Sequence, residues 1–115
     1  MDPKGHYRIV DEKWRLAFPS SPRVIRRRIP SLVYLEEDRK GHVLIKFFRQ
    51  GTKTKISDVG FMVPVKTANL RRGGKNYSVK RITIPKSFRK TKSFCYGRTV
   101  ILVDRGEHFE LWPRK

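Results

Sequence analysis

A repeat with a period of 66 residues constrains this chain more than any other feature of its sequence. When the sequence is shifted by 66 positions, seven residues fall on identical residues and no gap is needed. They are Arg15, Pro19, Ser21, Arg23, Asp38, Arg39 and His42, which fall on Arg81, Pro85, Ser87, Arg89, Asp104, Arg105 and His108. Two copies are too few for a solenoid, so the repeat indicates a duplicated half-domain.

The chain length predicts how the two copies are combined. A chain of 115 residues is typical of one domain. We place the copies at residues 7–49 and 73–115, joined by a basic connecting segment at residues 50–72. A half of about 50 residues is too small to bury its own apolar face well. We therefore predict that the copies share strands in one domain over residues 1–115, which folds as a pseudo-dimeric monomer.

Strand signals dominate both copies. Short runs of branched and aromatic residues are separated by polar turns, and a proline ends the second run of each copy. The predicted strands are Tyr7 to Val10, Trp14 to Phe18, Leu32 to Glu36, His42 to Phe48, Tyr77 to Ile84, Thr99 to Val103 and Glu107 to Trp112. Pro64 makes the run from Phe61 to Val65 an edge strand or a bulge. Asn69 to Asn76 is typical of a flexible basic loop.

Helical signals are short. A serine cap followed by a proline predicts a helix from Pro22 to Arg28, and Lys86 to Phe94 predicts a short helix or helical turn. The fold class that follows is mainly β with short helices. Because each half repeats the same order of elements, we predict a pseudo-symmetric β-barrel built by intertwining the two copies.

The charge of the chain indicates the kind of partner. Lys and Arg number 28 against 10 Asp and Glu, which gives a net charge of +18. A polyanion would relieve the resulting self-repulsion, with nucleic acid the first candidate and an anionic membrane the second. No apolar run approaches the roughly 18 residues of a membrane span. We expect a soluble cytoplasmic protein, positive over its whole surface and associated with the nucleoid or the ribosome.

Two motifs resemble a known family. The segment Tyr7-Arg-Ile-Val-Asp-Glu-Lys-Trp-Arg-Leu-Ala-Phe-Pro19 is similar to the N-terminal signature of AbrB/SpoVT-type DNA-binding domains. The segment Lys80-Arg-Ile-Thr-Ile-Pro-Lys-Ser-Phe-Arg89 resembles the second part of that signature. Two such halves in one chain resemble the arrangement of MraZ-like proteins. The resemblance implies a swapped-hairpin barrel that binds double-stranded DNA through arginines near paired loops.

The resemblance also implies site residues. Carried over position by position, they are Arg8, Arg15 and Arg23 in the first copy and Arg81, Arg89 and Lys90 in the second. Arg8 falls on Gly74, and the neighbouring Arg71, Arg72 or Lys75 can substitute for the missing arginine. The family glycine that precedes the arginine is replaced by Trp14 and by Lys80.

Two basic runs are candidate contacts on chemical grounds alone. Arg26, Arg27 and Arg28 form the densest run, which either clamps a phosphate backbone or lies on a solvated helix face. The glycines beside Arg71, Arg72 and Lys75 let the backbone approach phosphates closely, although the spacing is not that of a P-loop. Arginine suits both phosphate oxygens and guanine edges.

Signals for catalysis and for metal binding are weak. The repeat-related His42 and His108 have no cysteine or carboxylate cluster beside them, which makes a poor metal site. The sequence contains no paired-carboxylate or Ser-His-Asp pattern. We expect no enzymatic activity, no cofactor, no bound metal and no small-molecule substrate.

Three functions remain open at this point. The first is a duplex-DNA-binding transcription regulator or chromatin-like factor, which the family resemblance favours. The second is an rRNA-binding structural protein of the ribosome or another ribonucleoprotein, which the overall basic composition favours. The third is the antitoxin of a toxin–antitoxin pair, and it is disfavoured because only Pro113 to Lys115 follow the last predicted strand.

Overall fold

The computed structural model describes residues 5–18, 31–47, 60–105 and 108–114. These residues form mainly β-structure, which confirms the predicted class. The strands are β1 (Gly5–Ile9), β2 (Arg15–Ala17), β3 (Leu32–Glu37), β4 (Val43–Phe47), β5 (Phe61–Pro64), β6 (Lys66–Arg72), β7 (Lys75–Thr83), β8 (Thr99–Asp104) and β9 (His108–Pro113). Two short 3-10 turns, η1 (Lys86–Phe88) and η2 (Lys92–Phe94), lie between β7 and β8.

The strands form two antiparallel sheets. The first has six strands in the order β1-β8-β9-β4-β3-β5, and the second has three in the order β2-β7-β6. Three of the neighbouring pairs, β1–β8, β4–β9 and β2–β7, join a strand that precedes residue 50 to one that follows residue 60. Neither half of the chain therefore builds either sheet alone.

The prediction of a closed barrel is wrong for the described residues. Closure of the larger sheet would require its edge strands β1 and β5 to pair, but they lie at opposite ends of the strand order. The chain also leaves both edges for the smaller sheet, since β1 continues through Val10 towards β2 and β5 continues through Val65 into β6. The smaller sheet covers the core instead of closing it.

The core lies between the two sheets. On β4, Val43, Ile45 and Phe47 are buried and alternate with the less buried Leu44 and Lys46, as expected for a strand with one face inward. The smaller sheet adds Leu16 and Ile82 to the same apolar cluster. Each fully buried side chain of this kind stabilises the fold by about 1.5–3 kcal/mol, so the shared core favours two sheets held together.

The two 3-10 turns close one side of the core. Phe88 on η1 and Phe94 on η2 are buried. The buried Ser93 hydroxyl donates to the carbonyl of Leu111 at 2.5 Å and accepts from the backbone N–H of Val43 at 2.8 Å. The described residues contain these 3-10 turns and no α-helix, and the predicted helix from Pro22 to Arg28 lies outside them.

The predicted loop from Asn69 to Asn76 is instead regular hairpin. Strands β6 and β7 pair continuously from Lys66↔Arg81 to Arg72↔Lys75. Only Gly73 and Gly74 remain as the turn, both with positive φ (60° and 79°). This conformation matches the two-residue turns that suit the twist of paired strands, so the two glycines extend the hairpin where we predicted a loop. The predicted edge strand at Phe61 to Val65 is confirmed as β5.

Candidate nucleic-acid interface

A tight turn connects β1 to β2 in the first half of the chain. Asp11 closes it, because its Oδ1 accepts from the backbone N–H groups of Lys13 and Arg15, both at 2.9 Å. The carbonyl of Asp11 also accepts from the N–H of Trp14 at 2.9 Å. We call Asp11 to Trp14 the first turn.

Trp14 ends this turn with φ at 61°, a conformation that residues other than glycine rarely adopt. Its indole packs edge-on against Phe94 with ring centroids 5.4 Å apart, and the Arg89 guanidinium lies 5.2 Å from the indole centroid. The family glycine is therefore replaced here by a tryptophan that keeps the left-handed backbone and adds packing. Lys80 lies within β7 and takes no positive φ.

The corresponding connection in the second half is much longer. The N–H of Val10 donates to the carbonyl of Arg98, and the N–H of Val65 donates to that of Ser31, each at 2.8 Å. Val10 and Val65 thus leave opposite edges of the larger sheet in the same way. From Val65 the chain forms the hairpin of β6 and β7 before it rejoins β2. We call residues 66–80 the arm.

The arm projects from the body of the protein. None of its described side chains is buried, and Leu70 is 39% exposed. A Cβ placed on Gly73 or Gly74 would meet no atom within 4 Å. Lys66, Arg71, Arg72, Lys75 and Lys80 give the arm five basic residues and no acidic one.

A groove of about 480 Å³ lies where the arm meets the body. Arg15, Lys66 and Arg81 supply its charged lining. Arg81 is directly opposite Lys66 on β6 and opposite Ala17 on β2, so the repeat-related arginines lie on one face of the smaller sheet. Leu16 and Ile82 point from the other face into the core.

The two arginines of the groove differ in their partners. Asp11 Oδ2 accepts from Arg15 Nε at 2.6 Å, which fixes the direction of that guanidinium. Within the described part of the chain, the Arg81 side chain has no hydrogen bond or ion pair, and its cross-strand neighbour is Lys66. Partial burial raises the pKa of Asp11, but hydrogen bonds from Arg15 and from the Lys13 N–H outweigh it and lower that pKa.

The other sequence-predicted contacts fall into separate places. Arg89 has a structural role, since its Nε donates to the carbonyl of Ile84 at 2.9 Å beside Trp14, and Lys90 is exposed nearby. Arg71 and Lys75 are exposed at the tip of the arm, and the backbone of Arg72 lies between them. These positions are on the same half of the chain as Arg81.

Arg8 is not part of the groove. It lies on β1 opposite the buried Val100, at an edge of the larger sheet, and its Nη1 donates to the carbonyl of Tyr7 at 3.5 Å. The remaining predicted contacts, Arg23, Arg26, Arg27 and Arg28, lie outside the described residues. Sequence reasoning missed Lys66, which only its position opposite Arg81 identifies.

The positive charge is unevenly distributed, contrary to the expectation of a uniformly basic surface. Residues 59–103, which include the arm and both 3-10 turns, hold 11 Lys and Arg and no Asp or Glu. On the larger sheet, the face away from the core carries ion pairs of Lys46 with Glu36 and of Arg105 with Glu110. One side of the core is therefore rich in unopposed base, and the other carries paired charges.

Glu110 anchors the paired side. Its carboxylate accepts from Trp112 Nε1 at 2.8 Å and from Arg105 Nη2 at 3.2 Å, and it lies 3.1 Å from His108 Nε2. Burial raises the pKa of Glu110, but the hydrogen bonds from Trp112, His108 and Arg105 outweigh it and lower that pKa. These acids are already occupied within the fold.

Searches of the described ranges identify no metal or membrane element. No group of three or more His, Cys, Asp or Glu side chains in these ranges could hold a metal ion. Among the same residues there is no helix of the length and hydrophobicity that a membrane span requires. Comparisons with protein-family models, curated proteins and solved structures gave no match for this chain. The resemblance to AbrB/SpoVT-type domains stays a prediction based on motifs.

Proposed function

We propose that this chain is a non-enzymatic nucleic-acid-binding protein whose ligand is double-stranded DNA. The observation that carries the proposal is the groove, in which the repeat-related Arg15 and Arg81 lie together with Lys66 on the acid-poor side of the molecule. Arginine guanidinium groups bind phosphate oxygens in pairs of hydrogen bonds. Most contacts in such a groove go to phosphates and set the position of the protein on the duplex.

We propose further that the two halves are related by a local two-fold axis, as in a swapped-hairpin arrangement. Leu16 pairs directly with Ile82, and Leu44 pairs directly with Glu110, and each pair is separated by the repeat period. The strand order of the larger sheet reads symmetrically from its centre, β9–β4, to its edges β1 and β5.

Two hydrogen bonds support the same axis. The N–H of Phe18 donates to the carbonyl of Lys80, and the N–H of Ile84 donates to that of Trp14, each at 2.8 Å. Shifting either bond by the repeat period gives the other. Such an axis suits a duplex, which has local two-fold symmetry of its own. A transcription regulator or a chromatin-like factor is the function class that fits this geometry.

An rRNA-binding role in a ribonucleoprotein is the second candidate. The arm favours it, because both faces of this hairpin are open and a folded RNA could surround them. The paired charges on the outer face of the larger sheet favour DNA, since a protein enclosed by RNA would gain from base on every side. Co-sedimentation with a ribosomal subunit that survives high salt would select the RNA role.

Binding of short duplex DNA by the double variant R15A/R81A tests the groove. We expect affinity to fall about tenfold to a hundredfold and the salt slope of log K to decrease by about 2, since each phosphate contact contributes about 0.9. R39A/K40A is the matched control, because it removes two exposed charges from the turn between β3 and β4. Equal affinity of both variants and the wild type would refute the groove.

A further inference from the structure

The arm has two chemically different faces. Side chains alternate between the faces of a strand, so residues at every second position of β6 share a face with their cross-strand partners on β7. The register pairs Thr67 with Lys80, Asn69 with Ser78 and Arg71 with Asn76. We call these six residues the polar face of the arm. The opposite face carries the pair Ala68↔Val79 and also Leu70.

The polar face is exposed and has the chemistry of base recognition. Thr67, Asn69, Arg71, Asn76 and Ser78 are all exposed. Asparagine amides pair with adenine, arginine pairs with guanine, and serine or threonine hydroxyls bond to either, each through base edges in the major groove. Binding to phosphate alone would need only positive charge. The amides and hydroxyls in register across the two strands are therefore the distinctive feature of this surface.

We propose that the arm enters the major groove of duplex DNA and reads base edges with its polar face. This inference rests on the proposed nucleic-acid function and adds a sequence-reading element to it. Strands in a sheet lie about 4.8 Å apart, and a major groove about 12 Å wide admits a two-stranded ribbon. The major groove of duplex RNA is too deep and narrow for such reading, so the ligand is DNA.

The tip of the arm suits this approach. Gly73 and Gly74 make the turn without side chains and with open space around both Cα atoms. Arg71 and Lys75 lie beside this turn, where they would meet phosphates at the rim of the groove. The ribbon therefore combines a narrow leading end, basic flanks and a polar reading face.

Only the second half of the chain carries an arm. In the first half, the compact first turn, Asp11 to Trp14, stands in its place. A protein with paired arginines but a single arm would bind a duplex in one orientation. We therefore expect a recognition sequence with a sharply defined side, contacted by the arm, and a weakly defined side.

Selection from a pool of randomised duplex DNA tests the reading face. We expect the wild type to enrich a one-sided motif, and N69A/N76A to lose preference at the arm-contacted positions by about tenfold to a hundredfold. Affinity of this variant for random duplex should stay within about twofold of the wild type, because phosphate contacts carry no sequence information. The control A68S/V79T changes the opposite face and should keep the motif.

Protection of guanine N7 from methylation gives an independent readout. We expect the wild type to protect major-groove guanines on the arm side and N69A/N76A to protect them less. A wild type that binds duplex DNA without enriching a motif, or an N69A/N76A variant with the same motif and protection, would overturn base reading and leave the proposed function intact. Failure of the wild type to bind duplex DNA at all would overturn both.

Discussion

The two connections that lead into the smaller sheet begin and end alike but are stabilised in opposite ways. The first turn is held by hydrogen bonds from Asp11, by the packing of Trp14 on Phe94 and by the ion pair of Asp11 with Arg15. The arm starts instead with Lys66, which faces Arg81 across the strands, and none of its described side chains is buried. An acid in one half thus has a base as its counterpart in the other.

This difference indicates where a ligand is needed. A two-stranded hairpin without a buried face is at best marginally stable in water. Its basic side chains also repel one another, so a polyanion that binds them would order the arm. The first turn gains nothing comparable from a ligand, because its polar groups already have partners. We assign structural support to the first turn and ligand contact to the arm.

The largest effect is expected from making the two connections alike. Replacing residues 66–80 with the four residues of the first turn, Asp-Glu-Lys-Trp, removes the arm and places an acid beside Arg81. We expect affinity for duplex DNA to fall by about a hundredfold or more, with a salt slope lower by about 3. Fluorescence anisotropy across a salt series measures both quantities.

The same variant reports on stability. Because the arm buries no described side chain, its removal should change the free energy of unfolding by no more than about 1 kcal/mol. A loss of several kcal/mol in urea unfolding would contradict the view that the arm is independent of the core. Wild-type DNA affinity in a folded variant would contradict its role in binding.

The next effect concerns the packing of the first turn. We expect W14A to lower the free energy of unfolding by about 2 kcal/mol, because it removes a half-buried indole from Phe94 and Arg89. W14G should recover about 1 kcal/mol relative to W14A, since glycine adopts positive φ without strain. Urea unfolding of the three proteins measures the order. A W14G variant less stable than W14A would show that the backbone of this turn is unstrained.

The smallest effect concerns the acid of the first turn. D11A should lower the free energy of unfolding by about 1 kcal/mol at neutral pH, because it removes the side-chain acceptor for two backbone N–H groups. Its DNA affinity should rise about twofold to fivefold, since a negative charge beside the groove is lost.

The pH dependence of this stabilisation has a definite sign. The pKa of Asp11 is lowered in the fold, so its contribution is complete above the ordinary value of 3.8 and is lost as the pH falls through the folded value. The stability difference between the wild type and D11A should therefore shrink in acid. A difference that stays constant from neutral pH to well below 3.8 would contradict the ionic role of Asp11.

Much of the fold could be predicted from local patterns. The alternation on β4 and the hairpin of β8 and β9 follow directly from strands with one apolar face. The repeat period also identified residues that pair across the halves, such as Leu16 with Ile82. These features depend on neighbours in sequence or on one constant spacing.

Features that break the constant spacing could not be predicted in this way. Val33 and Leu35 are buried on β3, and Val100 and Leu102 on β8, which is a spacing of 67 and not 66. A comparison without gaps cannot show this offset. Closure of the barrel likewise depended on how the edge strands continue, which no local pattern encodes.

The arm shows the same limit within the candidate site. Val65 occupies the place of Val10 although only 55 residues separate them, because the arm adds 11 residues before Arg81. The predicted copy boundary at residue 73 falls within this addition. Composition identified Arg71, Arg72 and Lys75 as basic, but only the strand register placed Asn69 and Asn76 on one polar face.

Lysine acetylation followed by mass spectrometry, with and without duplex DNA, tests the central claim most directly. Lys66 at the groove, Lys75 at the tip of the arm and Lys40 at the turn between β3 and β4 are all exposed in the free protein. We predict that DNA protects Lys66 and Lys75 strongly and leaves Lys40 reactive. Equal protection of all three lysines, or protection of Lys40 alone, would contradict a binding surface formed by the groove and the arm.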